Sequence, residues 1–479
     1  MDKIINELEY ILFLCDYNKL NDDDLVFKIN NEINKFKETK LEVDFESILS
    51  ECWDLLRSCL LKTKLLSNIS FYRSPTSEVQ TIINDTKSAD FTYERNISYN
   101  ELEEKVSRLY KIHDQWTEEH ILFSSGMSSI ISLLFCFKKM YKTKDKFTLL
   151  FWGDYFETKN VMKILSDENF EIIIYEEWSS FYRDILSENY DAIMIEPVKY
   201  SVYLDAMNFS ELIFALENSK NKNSPKFVIL DSTLIANNMP INELLIKVSK
   251  FEDFFLININ SLLKLHQQGL ELTNAGLLSF YSHSSGETFS KNVSKLLKQI
   301  RVLNGAGLSL SNAMLLDNGF SFDQFSVNNY AKQIFENNAL FAQSLKSGEL
   351  WSHVSHPVLE VSLKEEWIQS PFVIMQLTEN TLEAYEILLT AMKHEIVVRK
   401  LNLCYGSSFG FRDSRYEVIF PDFDEKNIFF KVAIGYNKYN TFNMILKLFL
   451  EFSELSVSDL KKKCLNLKIV NLKEVFFKS

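Results

Sequence analysis

The chain has 479 residues and a formal net charge of −13 at pH 7, from 52 Lys and Arg against 65 Asp and Glu. Because nucleic-acid backbones are bound by basic surfaces, this acidic excess argues against a nucleic acid as a general partner. The hydrophobic and charged shares, 46% and 24%, are typical of a globular protein, and the length allows more than one domain.

The cysteines and the N-terminal residues bear on metal binding and on compartment. No Cys-x-x-Cys pair or neighbouring histidine cluster is present, so we expect reduced core cysteines and no metal site. The first residues include Asp2 and Glu7, unlike the basic start of a signal peptide, and no stretch approaches the length of a membrane span. We therefore expect a cytoplasmic protein with no membrane partner.

The N-terminal part is predicted to be helical. Apolar residues recur at three- and four-residue spacing in 8–15 (LEYILFLC) and 45–66, a pattern that extends the helical prediction to about residue 85. Residues 74–78 (SPTSE) have the composition of a linker. We expect an N-terminal helical extension over residues 1–88, without chemistry of its own, that packs on the main body or on another subunit.

Two short stretches before the central region contain candidate anion ligands. Tyr93 and Arg95 precede a predicted helix, although on their own they are better explained by a surface arginine. A strand over Ile121–Phe123 then leads into a Ser-Ser-Gly turn, Ser124–Gly126, and an apolar helix. Backbone N–H groups and the dipole at such a helix start suit a phosphate, while an ordinary N-cap would produce the same pattern.

From about residue 147, nearly all-apolar strands alternate with helices, which predicts a mainly parallel sheet with helices on both faces. Tyr155, Glu196, Asp231 and Lys264 each follow one of these strands. Ligands gather at the carboxyl ends of such strands, so we expect these residues to converge with the Ser-Ser-Gly turn. An Asp can keep the pyridine nitrogen of pyridoxal 5'-phosphate (PLP) protonated and a Lys can form its Schiff base, which makes PLP the cofactor hypothesis.

The C-terminal part changes pattern. Two amphipathic helical segments follow Leu278, and from about Val354 short strands and helices indicate a smaller α+β domain. We expect the large domain to span residues 89–335 and the small domain 336–479. The strands predicted in the small domain are 357–363 (PVLEVSL), 372–377 (FVIMQL), 396–401 (IVVRKL) and 429–437 (FFKVAIGYN).

In this order the motifs resemble those of the Cys/Met-metabolism family of fold-type-I PLP enzymes, which includes cystathionine γ-synthase, cystathionine γ-lyase and methionine γ-lyase. The resemblance runs from about Phe91 to Leu450. It implies an α/β fold with a PLP-binding large domain and a smaller α+β domain. The matching segments are Tyr93–Arg95, Ser124–Ile130, Asp154–Thr158, Leu230–Thr233 and Ser261–Lys264.

The resemblance also implies roles for individual residues. Lys264 would form the Schiff base and move protons, Tyr155 would stack on the cofactor ring, and Asp231 would pair with its nitrogen. Tyr93 and Arg95 would reach the cofactor phosphate of a neighbouring subunit, which implies a homodimer or homotetramer with shared active sites. The remaining implied cofactor ligands are Ser125, Gly126, Met127, Thr233 and Ser261.

Three positions depart from the family pattern. Leu263 replaces a phosphate-binding Thr, and Tyr200 lies near the place of an Asn that touches the ring. Lys431 replaces an Arg that binds the substrate carboxylate, and lysine lacks the bidentate guanidinium fork. The candidate substrate ligands are therefore Lys431, Ser408 and Arg412, with Arg415 as an alternative to Arg412. Lys431 is equally well explained as a bystander.

The resemblance implies γ-replacement or γ-elimination on a small-molecule amino acid, either homoserine-ester-like or sulfur-containing. The altered carboxylate site suggests a specialised substrate and a specialised biosynthetic pathway. The alternative is a PLP-fold protein that has lost catalysis and serves as a binding or scaffold partner. The three departures favour that alternative. The pairing of Asp231 with Lys264 opposes it, because a site without chemistry has no need of both groups.

Overall fold

The computed structural model describes most of the chain. Tyr93, Arg95 and the expected linker at 74–78 lie outside the described residues. Those residues are 2–20, 23–38, 45–69, 80–84, 87–91, 99–144, 146–220, 226–345, 347–360, 365–420, 428–437 and 440–473.

Three helices begin the chain: α1 (Asp2–Tyr17), α2 (Asp23–Glu38) and α3 (Phe45–Ile69). Their apolar stripes are buried against one another and against Leu272 and Phe320 of the main body. The helical extension therefore packs on the main body, one of the two arrangements that the sequence allowed.

The helical prediction is wrong at the end of this region. Two short strands, β1 (Gln80–Asn84) and β2 (Lys87–Phe91), pair in antiparallel fashion there. The β-branched residues Thr81, Ile82 and Ile83 favour a strand over a helix. Asn84 is the last residue of β1.

A seven-stranded sheet occupies the middle of the chain. Its strands are β3 (Trp116–Phe123), β4 (Phe147–Trp152), β5 (Phe170–Tyr175), β6 (Ala192–Ile195), β7 (Lys226–Asp231), β8 (Phe254–Ser261) and β9 (Gly276–His283). The spatial order is β3-β9-β8-β7-β6-β4-β5. Strands β5, β4, β6, β7 and β8 pair in parallel, and β9 runs antiparallel between β3 and β8. The predicted mainly parallel sheet is confirmed.

Both faces of this sheet are buried. Val228 and Leu230 of β7 belong to one hydrophobic cluster, and the alternate residues Phe227 and Ile229 belong to another. Because successive strand residues point to opposite faces, each cluster fills one side of the sheet. The helices of this region are α4 (Asn100–Lys105), α5 (Gly126–Met140), α6 (Phe156–Leu165), α7 (Trp178–Ser187), α8 (Phe209–Asn218), α9 (Ile241–Lys247), α10 (Glu287–Leu303), α11 (Leu310–Leu316) and α12 (Gln324–Ser344).

A second, five-stranded sheet follows. It consists of β10 (Trp351–Ser355), β11 (Val373–Leu377), β12 (Leu403–Tyr405), β13 (Ser414–Ile419) and β14 (Phe429–Ala433), in the order β10-β11-β14-β13-β12. Its helices are α13 (Leu382–Arg399), α14 (Asn440–Ser453) and α15 (Val457–Lys463). The domain boundary expected at residue 335 falls within α12. Ile334 packs with the large sheet and Phe341 with the small one.

Two predicted strands of the small sheet are wrong. Residues 357–359 form a single 3-10 turn, because Pro357 has no N–H for a strand ladder and fits the first position of a helical turn. The segment 396–399 continues α13, whose first turns are buried through Tyr385, Leu388 and Met392. The packing of those turns outweighs the strand preference of Ile396–Val398.

Two further features of the chain are its lack of a membrane-spanning helix among the described residues and the state of its cysteines. In the part of the chain that the structure describes, no helix is both long enough and apolar enough to cross a bilayer. The six cysteines are unbridged, and all are buried except Cys404.

Candidate active site

Most of the predicted site residues line one cavity of ≈ 750 Å³. It lies at the carboxyl ends of the parallel strands, where an open α/β sheet binds its ligands. The predicted residues that line it are Ser125, Gly126, Met127, Tyr155, Asp231, Thr233, Ser261, Lys264, Ser408 and Lys431. The expected convergence of strand-end residues therefore occurs.

Arg412 lies outside this cavity. Its Nη1 donates to Glu7 Oε1 at 3.0 Å, and its guanidinium lies 3.4 Å from the ring centroid of Trp53. Arg415, the alternative to Arg412, pairs with Glu271. Both guanidinium groups are thus compensated by carboxylates away from the cavity.

One end of the cavity is suited to an anion. Helix α5 begins at Gly126, and Ser125 Oγ caps it by accepting from Ser128 N–H at 3.0 Å. The first amides of a helix have no intrahelical acceptor, so they remain available to a ligand. A Cβ on Gly276 would lie 2.1 Å from Ser125 O, and a Cβ on Gly126 would lie 3.3 Å from Ser261 Cβ. The two glycines therefore let the helix start approach β9 and the Ser261 side chain.

Thr233 ties together the ends of β7 and β8. Its N–H donates to Asp231 Oδ1 at 3.1 Å, and its Oγ1 accepts from Ser261 N–H at 3.0 Å. These bonds hold the Asp231 carboxylate in place and fix Ser261, the first residue of the segment that ends at Lys264. Leu263 also lines the cavity. Because it stands where the family pattern has a threonine, an anion bound here would lack the hydrogen bond from that threonine hydroxyl.

Asp231 and Lys264 influence each other inside the cavity. Burial raises the pKa of Asp231, while the bonds from Thr233 and the charge of Lys264 lower it. Burial lowers the pKa of Lys264 to about 8, an effect that Asp231 opposes and Lys431 reinforces. A lysine with such a pKa is partly neutral near pH 7, which an amine needs in order to act as a nucleophile or a base.

Glu196 shapes the wall that carries Tyr155. Its carboxylate accepts from the N–H groups of Asp154 at 2.9 Å, Tyr155 at 3.0 Å and Tyr200 at 3.1 Å. Burial raises the pKa of Glu196 to about 7. The sequence placed Glu196 at a strand end but assigned it no role, because these partners become visible only once the loops around β4 and β6 are folded.

Lys431 is held by two groups in the cavity wall. It stands opposite Glu417 in the β13–β14 register and pairs with it, and its Nζ donates to Tyr200 Oη at 3.1 Å. Burial lowers the pKa of Lys431, and the Glu417 carboxylate raises it. Sequence reasoning missed Glu417 because β13 was not predicted. The signal available was the apolar alternation in residues 414–419.

The segment after Lys264 is anchored on both sides. The Gln267 side chain donates to Thr273 O at 2.6 Å and accepts from Leu272 N–H at 2.9 Å. From the N-terminal layer, Arg57 Nε donates to Leu270 O at 2.7 Å. The helical extension, to which the sequence assigned no chemistry, therefore contacts the loop that follows the candidate reactive lysine.

Ser408 lines the far wall of the cavity in a left-handed backbone conformation, with φ of 76°. A non-glycine residue rarely adopts this region, and such strain is concentrated at functional sites.

Among the described residues, no group of His, Cys, Asp and Glu side chains is arranged to hold a metal ion.

No family model matches the chain, and no curated protein matches it. Solved structures do. A methionine γ-lyase from Micromonospora echinospora has 13% identity and a TM-score of 0.54, covering 79% of this chain and 92% of its own. Yeast cystathionine γ-lyase has 13% identity and a TM-score of 0.56, covering 84% and 98%.

A third similar structure comes from Campylobacter jejuni. It is provisionally assigned as an O-acetylhomoserine (thiol)-lyase, contains a pyridoxyl-lysine monophosphate, and has 14% identity and a TM-score of 0.55, covering 81% of this chain and 99% of its own. At these identities the similarity establishes the fold alone. The predicted fold class is confirmed: the chain has the fold of fold-type-I PLP enzymes.

Proposed function

We propose that this protein is a PLP-dependent enzyme that acts on an amino acid by γ-elimination or γ-replacement. The observation that carries the proposal is the placement of Asp231 and Lys264 in one cavity, beside the glycine-lined start of α5. In a fold shared with γ-lyases, a buried acid and a buried lysine are the two groups that a PLP site needs.

The residues present fit the cofactor. Ser125, Gly126 and Met127, together with Ser261, would hold its phosphate at the start of α5. Asp231 would pair with the ring nitrogen, and burial of this carboxyl suits a partner that is itself positively charged. Further cofactor contacts are assigned to Tyr155, as the stacking ring, and to Thr233, which orients Asp231.

Bound PLP supplies an electron sink that acidifies the proton on the α-carbon of an amino acid. Lys264, with a pKa lowered by burial to about 8, is the group that takes and returns protons. Burial raises the pKa of Tyr155, so its hydroxyl stays protonated at neutral pH and acts as a hydrogen-bond donor. Asp231 stays in place because Thr233 holds it.

The enzyme classes of the similar structures favour chemistry at the γ-carbon. They are a methionine γ-lyase, a cystathionine γ-lyase and an O-acetylhomoserine (thiol)-lyase. We propose a homoserine-ester-like or sulfur amino acid as the substrate class, in a specialised biosynthetic pathway in the cytoplasm.

We also propose a homo-oligomer in which Tyr93 and Arg95 complete the site of a neighbouring subunit. The proposed domains of each chain are 1–88, 89–335 and 336–479.

The test is the visible absorption spectrum of the protein with added PLP, before and after borohydride. We expect wild-type protein to gain an absorption band, and reduction to fix the cofactor on Lys264 in a peptide map. Lys264→Ala should lose the band. Lys291→Ala, which removes an ammonium whose side chain is 60% exposed, should keep it. Absence of the band in all three proteins would overturn the proposal and favour the scaffold alternative.

A further inference from the structure

The charges that line the cavity are unequal. Among the described lining residues, the cations are Lys264 and Lys431, and the acids are Glu157, Glu196, Asp231 and Glu417. Because Lys264 is the proposed cofactor attachment point, Lys431 is the remaining cation among the described lining residues that could receive a negatively charged group of the substrate. The ion pairs of Arg412 and Arg415 keep those guanidinium groups elsewhere.

The positive charge of Lys431 is already compensated by the Glu417 carboxylate. The Lys431 side chain is 2% exposed, it pairs with Glu417 across the β13–β14 ladder, and it donates to Tyr200. A substrate carboxylate that approached the Lys431 ammonium would come close to the Glu417 carboxylate. Two carboxylates that share one ammonium in a buried site repel each other, so one of them must be protonated or displaced.

The Lys431–Glu417 pair lies next to the reactive lysine. The Nζ atoms of Lys264 and Lys431 lie over the same ring, 4.3 and 5.9 Å from the centroid of Phe409. A substrate whose amino group reacts at the Lys264 position therefore lies close to the Lys431–Glu417 pair.

A carboxamide is complementary to the pair. Its carbonyl accepts from an ammonium, and its N–H₂ donates to a carboxylate, whereas a free carboxylate has acceptors only. An ester offers the carbonyl without the donor. The Lys431–Glu417 pair therefore combines a hydrogen-bond donor with an acceptor, a pattern that a neutral amide matches without a change of charge.

We propose that the Lys431–Glu417 pair makes the site selective for amino acids whose carboxyl group is masked, with carboxamides preferred to esters and esters to free acids. This inference rests on the proposed function and narrows its substrate class. It also makes Glu417 the specificity-determining residue of the site.

The test compares L-methioninamide, L-methionine methyl ester and L-methionine, which share one side chain. Dissociation constants are read from the spectral change of PLP-loaded protein. Because like charges side by side are costly in a buried site, we expect wild type to bind the amide at least about tenfold more tightly than the acid. Glu417→Gln frees the Lys431 charge and should raise affinity for the acid by about tenfold while weakening the amide.

Two further variants separate specificity from damage to the fold. Glu451→Gln removes an ion-paired glutamate outside the cavity and should leave the amide-to-acid ratio unchanged. The double variant Glu417→Gln/Lys431→Gln removes both charges, avoids an uncompensated buried ammonium, and should abolish the preference. The same three ligands are titrated into cofactor-free protein, and their binding is followed by the shift in melting temperature. This measures the preference of the Lys431–Glu417 pair without PLP.

The outcomes distinguish the two proposals. Attachment of PLP to Lys264, together with a wild-type preference for free L-methionine that Glu417→Gln does not change, would overturn the selectivity inference alone. Failure of PLP to attach would overturn the proposed function. In that case, equal binding of amide and acid to the cofactor-free protein would overturn the selectivity inference as well.

Discussion

Burial sets the chemistry of single residues in this cavity. The ammonium of Lys264 loses hydration, which lowers its pKa to about 8, and the flanking charges of Asp231 and Lys431 act in opposite directions. A residue type that is ordinarily cationic at neutral pH thereby acquires a neutral fraction. An amine needs such a neutral fraction in order to attach a carbonyl compound or to accept a proton.

The pH dependence of Lys264 follows from the same balance. Acetic anhydride reacts with neutral amines, so labelling of Lys264 in cofactor-free protein should rise with pH to a midpoint near the pKa of about 8. Asp231→Asn removes the charge that stabilises the ammonium and should move the midpoint to lower pH. Lys431→Met removes a repelling charge and should move it to higher pH. The measurement is mass spectrometry of the peptide that contains Lys264.

The exposed Lys291 provides the internal reference for this experiment. It pairs with Glu287, and its pKa is raised by that hydrogen bond, so its labelling should reach a midpoint well above that of Lys264 in every variant. Equal midpoints for the two lysines, or shifts of the same sign in both variants, would contradict this electrostatic account.

At the scale of elements, the N-terminal layer supports the segment that follows Lys264. Helix α3 provides Arg57, which binds the carbonyls of Leu270 and Glu271, and the layer buries Leu270 and Leu272. Helix α1 adds Glu7, which holds Arg412. The layer thus closes over the segment from Leu265 to Thr273, which otherwise consists of turns and a single 3-10 helix.

Removing the Arg57 contacts should loosen that segment. Arg57→Met leaves two carbonyls without their side-chain donor, which we expect to destabilise the protein by about 1–3 kcal/mol. Amide hydrogen exchange of residues 265–273 should accelerate more than that of β4 and β6, and PLP affinity should fall. Arg183→Met is the control, because Arg183 is 70% exposed and pairs with its neighbour Asp184. Unchanged exchange in 265–273 would show that the layer does not restrain the loop.

At the scale of the whole molecule, the proposed shared site can be tested by mixing two defective chains. Arg95→Ala should bind PLP weakly, and Lys264→Ala cannot attach it. In a reassembled equal mixture of dimers, roughly half of the Arg95→Ala chains have a partner with Arg95 intact. Borohydride should then fix PLP on Lys264 of about that share of these chains. The measurement is a peptide map of the mixed sample.

Two controls make the mixing experiment decisive. Sedimentation must show a species larger than one chain, and Arg95→Ala alone must give much less fixed PLP than the mixture. A mixture that labels no better than Arg95→Ala alone, or a protein that sediments as a monomer, would contradict the shared site.

Prediction from sequence succeeded where the signal is local. The apolar runs of β7 and β8 identified buried parallel strands, and Asp231 and Lys264 followed directly from the ends of those runs. It failed where packing outweighs local preference. Ile396–Val398 extend a helix, Gln80–Asn84 form a strand, and β12 and β13 were not predicted at all.

The sequence by itself determined the alternation of apolar strands and helices around β4, β6, β7 and β8, and with it the edge where Ser125, Tyr155, Asp231 and Lys264 meet. Hydrophobic periodicity is a property of neighbouring residues, and the carboxyl ends of parallel strands share one edge in any such sheet. Only the tertiary structure decided that Glu417 faces Lys431 and that Arg57 holds the loop after Lys264. Those contacts depend on strand register and on the docking of a distant helix, which no local pattern encodes.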